Sequence, residues 1–207
     1  MTTRRLALAF ALAAVGSIVA APASASNIVL NAGFETGSFT PWVTNPSVVF
    51  PWLVVPGVSH SGQFYAETAC RGAGCLTPDP NPAGSWLYQD VTTTSGTYNL
   101  SFWYFPNIGT VNQLEVLWGG NVVLNLLNLA GGETYGLYTV SGLVATGSTM
   151  RLEFLGRQDA FFVGLDDVCV DTPGGVCASA PGPASLVLMG TALLGLHRAV
   201  RAVRRTR

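Results

Sequence analysis

The sequence predicts an all-β protein: an antiparallel jelly-roll β-sandwich, flanked by an N-terminal signal helix and a C-terminal hydrophobic helix. Three observations carry that prediction. Turn residues, drawn from 24 Gly and 12 Pro in 207 residues, recur every eight to twelve positions through residues 26–172. The runs between them alternate apolar and polar side chains with period two, and no stretch sustains a helical period. Two apolar segments, each beside arginines, bracket this body. Eight or more short strands in a body of this size suit two packed sheets. With 49% hydrophobic and only 10% charged residues, the chain is not a disordered tail.

The elements follow in chain order. Residues 1–25 read as a secretory signal peptide: Arg4 and Arg5, an apolar run from Leu6 to Ala21, then Pro22-Ala23-Ser24-Ala25 as a small-residue cleavage site. An uncleaved N-terminal anchor is the alternative. The body, 26–172, is one domain without repeats. Strands are expected at 63–69, 85–91, 97–105, 111–118, 122–129, 135–145, 149–155 and 161–171. Tyr98, Leu100, Phe102 and Tyr104 share one face of their strand, and Leu114, Val116 and Trp118 share one face of theirs. Gly119-Gly120-Asn121 between two such runs is a hairpin signal. Pro51-Trp52-Leu53-Val54-Val55-Pro56 reads as an apolar loop.

A linker at 173–183 leads to the C-terminal segment, 184–207. Its uncharged stretch, Ala184–Leu196, is short; continued as a helix to Val203 it reaches about 30 Å, one hydrocarbon thickness. Arg198, Arg201, Arg204, Arg205 and Arg207 would stay cytoplasmic by the positive-inside rule, leaving the body outside. A basic amphipathic helix lying on the membrane is the alternative.

Charge is segregated. There is no lysine; residues 26–180 hold three arginines against all eleven acids, a formal net charge of −8. An anionic body repels phosphate backbones, which excludes nucleic acid as a partner of the folded part. Four cysteines in an exported chain read as two disulfides, for which three pairings exist. Short Gly-rich spacers favour the local pairs Cys70–Cys75 and Cys169–Cys177. Zinc is disfavoured because no histidine lies near them.

Catalytic residues are not expected. The body's one histidine, His60, sits between Ser59 and Ser61 in a segment that is no nucleophile elbow. A glycosidase needs two carboxylates across a sugar. Asp166 and Asp167 are adjacent on an expected strand, which should send them to opposite faces. Nothing in the spacing of Glu67, Asp90, Glu115 and Glu153 makes a pair, and no organic cofactor is implied. Trp52, Trp86, Tyr88 and Trp103 are candidate sugar contacts, because flat aromatic faces suit pyranose rings; Trp42 and Trp118 are assigned to the core.

Two resemblances add to this. Pro181-Gly182-Pro183-Ala184-Ser185, a short apolar helix and an Arg-rich end resemble the PEP-CTERM sorting tail of Gram-negative bacteria, with Gly182 where that family carries Glu. The resemblance implies an exosortase-type membrane enzyme as a partner and an association with exopolysaccharide. It also implies transient anchoring in the inner membrane before release to the cell surface or extracellular matrix. In the body, Asn31-Ala-Gly-Phe34-Glu35-Thr-Gly37 with Trp42 opens the series. His60-Ser61-Gly62, Leu87-Tyr88-Gln89-Asp90-Val91, Tyr98-Asn99-Leu100-Ser101-Phe102 and Leu165-Asp166-Asp167-Val168 follow in order. The series resembles the galactose-binding-like jelly rolls that include carbohydrate-binding modules. That resemblance implies one structural Ca²⁺ held by Glu35 and Asp166. The expectation is therefore an exported, non-enzymatic surface or matrix protein. A lectin-like carbohydrate-binding module is the alternative, and a polysaccharide hydrolase stands third.

Overall fold

A computed structural model describes residues 27–171. The signal peptide, the motif Pro181–Ser185, the C-terminal helix and Cys177 lie outside the described residues.

Ten strands form two five-stranded antiparallel sheets. They are β1 (Val43–Thr44), β2 (Leu53–Pro56), β3 (Phe64–Thr68), β4 (Trp86–Thr92), β5 (Gly96–Pro106), β6 (Asn112–Trp118), β7 (Asn121–Leu127), β8 (Gly136–Ala145), β9 (Thr149–Gln158) and β10 (Val163–Asp171). The first sheet runs β1-β4-β9-β6-β7 and the second β2-β3-β10-β5-β8. Every expected strand is present. The hairpin is also where the sequence put it: Trp118 pairs with Asn121 across Gly119 and Gly120, both at positive φ (57° and 81°), the backbone of a tight two-residue turn.

The core lies between the sheets. Leu87, Phe154 and Val116 form one cross-strand row of the first sheet, and Ala66, Leu165 and Tyr104 one row of the second. Tyr98, Leu100, Phe102 and Tyr104 all point inward as their alternation predicts, and Trp42 and Trp118 are buried with them. Each fully buried large side chain contributes roughly 1.5–3 kcal/mol of transfer free energy.

Three features depart from the sequence reading. The segment 51–56 is not a loop: its last four residues form β2, and Trp52 is 1% exposed within the core. The Trp52 indole fills space left by Gly156, where a Cβ would come within 2.8 Å of the ring, and its Nε1 donates to the Ser85 carbonyl at 3.1 Å. It is a packing residue, not a sugar platform. The second departure is in β10, where pairing with β5 passes from Asp166↔Trp103 to Cys169↔Ser101, so β10 carries one extra residue. Asp167, at φ 46°, is the left-handed residue of that bulge. Alternation restarts after it, and Asp166 and Asp167 no longer point apart. The third is Phe105, which is fully buried although it faces away from the core, because loops cover that side of the second sheet.

Cys70 and Cys75 are joined, as expected, across the one-turn 3-10 helix Ala73–Leu76. Cys169 is disulfide-bonded as well, while its expected partner Cys177 lies outside the described residues.

Candidate functional site

The solvent side of the first sheet carries the exposed polar and aromatic side chains. Trp86 and Tyr88 alternate with buried Leu87 and Gln89, so both rings stand on the outer face of β4, with centroids 5.7 Å apart and planes tilted by 35°. The Arg151 guanidinium, cross-strand on β9, lies 3.6 Å from the Tyr88 ring centroid. Two acids hold it there. Asp90 accepts from Nε (2.8 Å) and Nη2 (3.1 Å), and Asp79 accepts from Nη1 (2.6 Å). These acids raise the guanidinium pKa further, so it is a permanent cation. Trp86 and the Arg151-capped Tyr88 thus stand side by side with polar edges.

The loop from Cys70 to Gly84 reaches onto this face. Asp79 contributes both its carboxylate to Arg151 and its N–H to Glu153 Oε1 (2.7 Å), and the Asn81 carbonyl accepts from Trp86 Nε1 (3.0 Å). Glu153 is buried beneath the loop, and burial pushes its carboxyl above the ordinary range against the pull of the Asp79 N–H and Arg151. Beyond β9, three polar side chains share the face of β6 and β7. Gln113 Nε2 donates to Glu115 Oε1 (3.1 Å) and Asn125 Oδ1 (3.0 Å), and Asn125 Nδ2 donates to Glu115 Oε1 (3.0 Å). Trp86, Leu155, Glu115 and Asn125 occupy one lateral row across four strands.

Sequence reasoning found Trp86 and Tyr88 but not Arg151, Asp79 or the Gln113–Glu115–Asn125 group. The i, i+2 spacing of Gln113 and Glu115, opposite apolar Leu114 and Val116, was a usable signal. The Asp90–Arg151 pairing was not, because it depends on register.

Trp103 lies on the other sheet, and its ring is already occupied. The His60 imidazole stacks on it at 3.7 Å with planes 13° apart, and Tyr135 meets His60 edge-on. His60 is fixed in turn by the bulge: its Nδ1 lies 2.6 Å from Asp167 Oδ2, and its backbone N–H donates to Asp166 Oδ2 at 2.8 Å. Ser61 donates its hydroxyl to Asp167 Oδ1 and its N–H to Asp166 Oδ2. Burial, then the Asp167 charge, push the Asp166 carboxyl up to about 7. Ser61 bonds the acid rather than the imidazole, so no nucleophile–base pair is formed here.

Glu35 and Asp166, the pair expected to hold Ca²⁺, grip the same turn from different sides. Glu35 accepts the N–H groups of Gln63 and Phe64 (2.9–3.0 Å), and Asp166 those of His60 and Ser61. Gly62 is part of this fit, since a Cβ there would lie 2.2 Å from the Glu35 carboxyl carbon. A hard cation needs oxygens, whereas these carboxylates face N–H donors. Among the described residues, no three His, Cys, Asp or Glu side chains converge on a metal-sized space.

No protein-family model matches the chain, and no curated protein matches it. Solved structures do. The carbohydrate-binding module TmCBM61, crystallised with β-1,4-galactotriose, superposes with a TM-score of 0.52 at 19% identity, covering 71% of this chain and 99% of that one. The CBM22-1 xylan-binding domain of Paenibacillus barcinonensis Xyn10C gives 0.50 at 12% identity, covering 72% and 95%. The K3 cleaved adhesin domain of Lys-gingipain from Porphyromonas gingivalis gives 0.51 at 19% identity, covering 70% and 99%. The described residues therefore have the jelly-roll fold of carbohydrate-binding modules.

Proposed function

We propose that the protein is an exported, non-catalytic carbohydrate-binding module that acts at the cell surface or in the extracellular matrix. The observation that carries this reading is the Trp86 ring: a partly exposed indole on a sheet face, beside the Tyr88 ring that Arg151 covers, with hydrogen-bonding groups fixed around it. Aromatic faces supply contact area and the charged edges orient hydroxyls. The solved relatives crystallised with, or named for, a glycan support the same reading.

Binding without hydrolysis fits four of the acids, which are engaged by neighbouring groups. Asp79 and Asp90 are held on Arg151, and Asp166 and Asp167 on the His60–Ser61 turn. The leader and the sorting-like tail supply the delivery route. An exosortase-type enzyme would process the tail, and exopolysaccharide is the ligand source closest to hand.

A glycan array with the full-length protein tests the reading. Binding to at least one polysaccharide class is expected, and Trp86→Ala should weaken it about tenfold or more, as removal of a stacked aromatic anchor does. An array without signal, or one unchanged in Trp86→Ala and Tyr88→Ala alike, rejects this face as the binding surface.

A further inference from the structure

We infer that the protein pairs with a second copy of this chain, edge to edge, through the side of the sandwich where β7 and β8 lie. The ground is a contrast between its two sides. β7 ends the first sheet and β8 the second on one side, and β1 and β2 end them on the other. β1 has two residues, and β2 has four and finishes at Pro56, so that side offers a partner strand little free backbone. β7 and β8 run for seven and ten residues. From Val116 to Met150 there is no proline, and Glu133, in the connection between the two strands, is the one charged residue. Neither strand therefore carries the charges or prolines that keep exposed edges apart. The core is also least covered here. Leu126, Tyr138 and Val140 pack against it yet stay only half-buried, while Val122, Leu127, Leu137 and Val144 are 53–58% exposed. Among the described residues no hydrogen bond joins β7 to β8; Trp118 Nε1, donating to the Val144 carbonyl at 2.8 Å, ties this side together at one end.

Charge and geometry select a second copy as the occupant. Each body carries a formal net charge of −8, so two copies repel where their acids meet and can approach most closely along the uncharged β7 and β8. A two-fold axis normal to the sheets sets β8 beside β8 of the other copy and β7 beside β7, antiparallel in both layers. A lone peptide strand would extend one sheet only. Bulges at Val123 and at Ser141–Gly142 leave Leu124–Leu127 and Gly136–Val140 as the regular runs for this pairing. At about 3.4 Å per residue β8 is about 34 Å long, and two sheets about 10 Å apart make a side about 20 Å deep. The contact is then roughly 700 Å² per copy, near the roughly 800 Å² of a standard interface. The same axis turns both first-sheet faces one way, with the two Trp86 rings seven strand spacings, about 34 Å, apart. The dimer is independent of the carbohydrate reading; bivalent binding of one polysaccharide rests on it.

Sedimentation velocity on the full-length protein, with amide hydrogen exchange on the same samples, tests the inference. A concentration-dependent dimer is expected. Amides of residues 124–127 and 136–140 should exchange about tenfold more slowly in it, and those of β2 should not change. The double variant Leu127→Glu, Leu137→Glu alters two exposed side chains, so the melting temperature should hold while the dimer weakens about tenfold or more through like charges facing each other. Leu53→Glu adds a charge on the exposed part of β2 and should leave the dimer intact. An equal loss in Leu53→Glu reduces the effect to diffuse repulsion and overturns the assignment of this side. A protein monomeric at every concentration, or a dimer whose slowed amides lie on other elements, overturns the inference. On the polysaccharide that the glycan array identifies, the double variant should bind about a hundredfold more weakly, and on a short oligosaccharide cut from it as well as the wild type. An array with no signal removes the carbohydrate reading and leaves the dimer standing.

Discussion

Gly164 sits beneath the Phe105 ring so closely that a Cβ would come within 2.1 Å of it. The glycine lets Phe105 lie flat on the outer side of the second sheet, where Tyr65, Tyr135 and Phe162 surround it. The same side is closed by the His60–Phe64 turn, and Glu35 is one of its two anchors. Because both Glu35 carboxylate oxygens accept backbone N–H groups, EDTA should leave the thermal midpoint of the purified protein unchanged. Glu35→Ala, which strands the N–H groups of Gln63 and Phe64 at a partly solvated site, should cost about 1 kcal/mol. A midpoint that falls with chelator and returns with Ca²⁺ would show that the carboxylates rearrange around an ion. Differential scanning calorimetry distinguishes the outcomes.

Among the elements, the Cys70–Gly84 loop matters most to the proposed site. The disulfide closes its base, the Ser85 N–H donates to the Cys75 carbonyl, and Asp79 pins its far end to Arg151 and Glu153. That docking carries a pH dependence. The folded-state pKa of Glu153 lies above its ordinary value, so folding favours the protonated acid. Its contribution to stability is present in acid and is lost as pH rises through the folded value. Glu153→Gln keeps an acceptor for the Asp79 N–H and removes the buried charge. Its melting temperature should exceed the wild type's at about pH 8 and match it near pH 4, and an unchanged difference across that range would contradict the burial argument. None of this docking was legible in the sequence, since a 15-residue connection shows neither where it lands nor what it covers. The strands were legible because their faces differ: one is dry and one wet, so hydrophobicity alternates. β1 and β2 escaped notice because two and four residues are too few for a period to show. The bulge at Asp167 escaped for the opposite reason. Leu165, Val168 and Val170 all face the core, and only a register shift reconciles that spacing with a pleat. Trp86 and Tyr88 were found because they break a buried alternation, while Trp52 was misplaced because burial by a distant Gly156 leaves no local trace.

At the scale of the whole molecule, the two ends of the described chain leave from one place. The Ile28 N–H donates to the Val170 carbonyl, and the Asn27 side chain bridges the Val168 carbonyl and the Val170 N–H. Residues 27–28 and 168–170 are therefore neighbours at one edge of the sandwich. Among the described residues, the buried core cluster runs from Val29 to Val170. A fragment of residues 26–180, which retains all four cysteines, should thus melt in one cooperative transition under oxidising conditions and bind the same glycans as the full chain. With both apolar ends removed, it should leave the membrane fraction. Reduction should lower its midpoint, on the order of 2–3 kcal/mol for each short disulfide loop. Calorimetry with a binding assay on both forms decides the matter. A fragment that folds but no longer binds would move the glycan site out of the sandwich and onto the ends, and one that cannot fold would make the tail part of the domain.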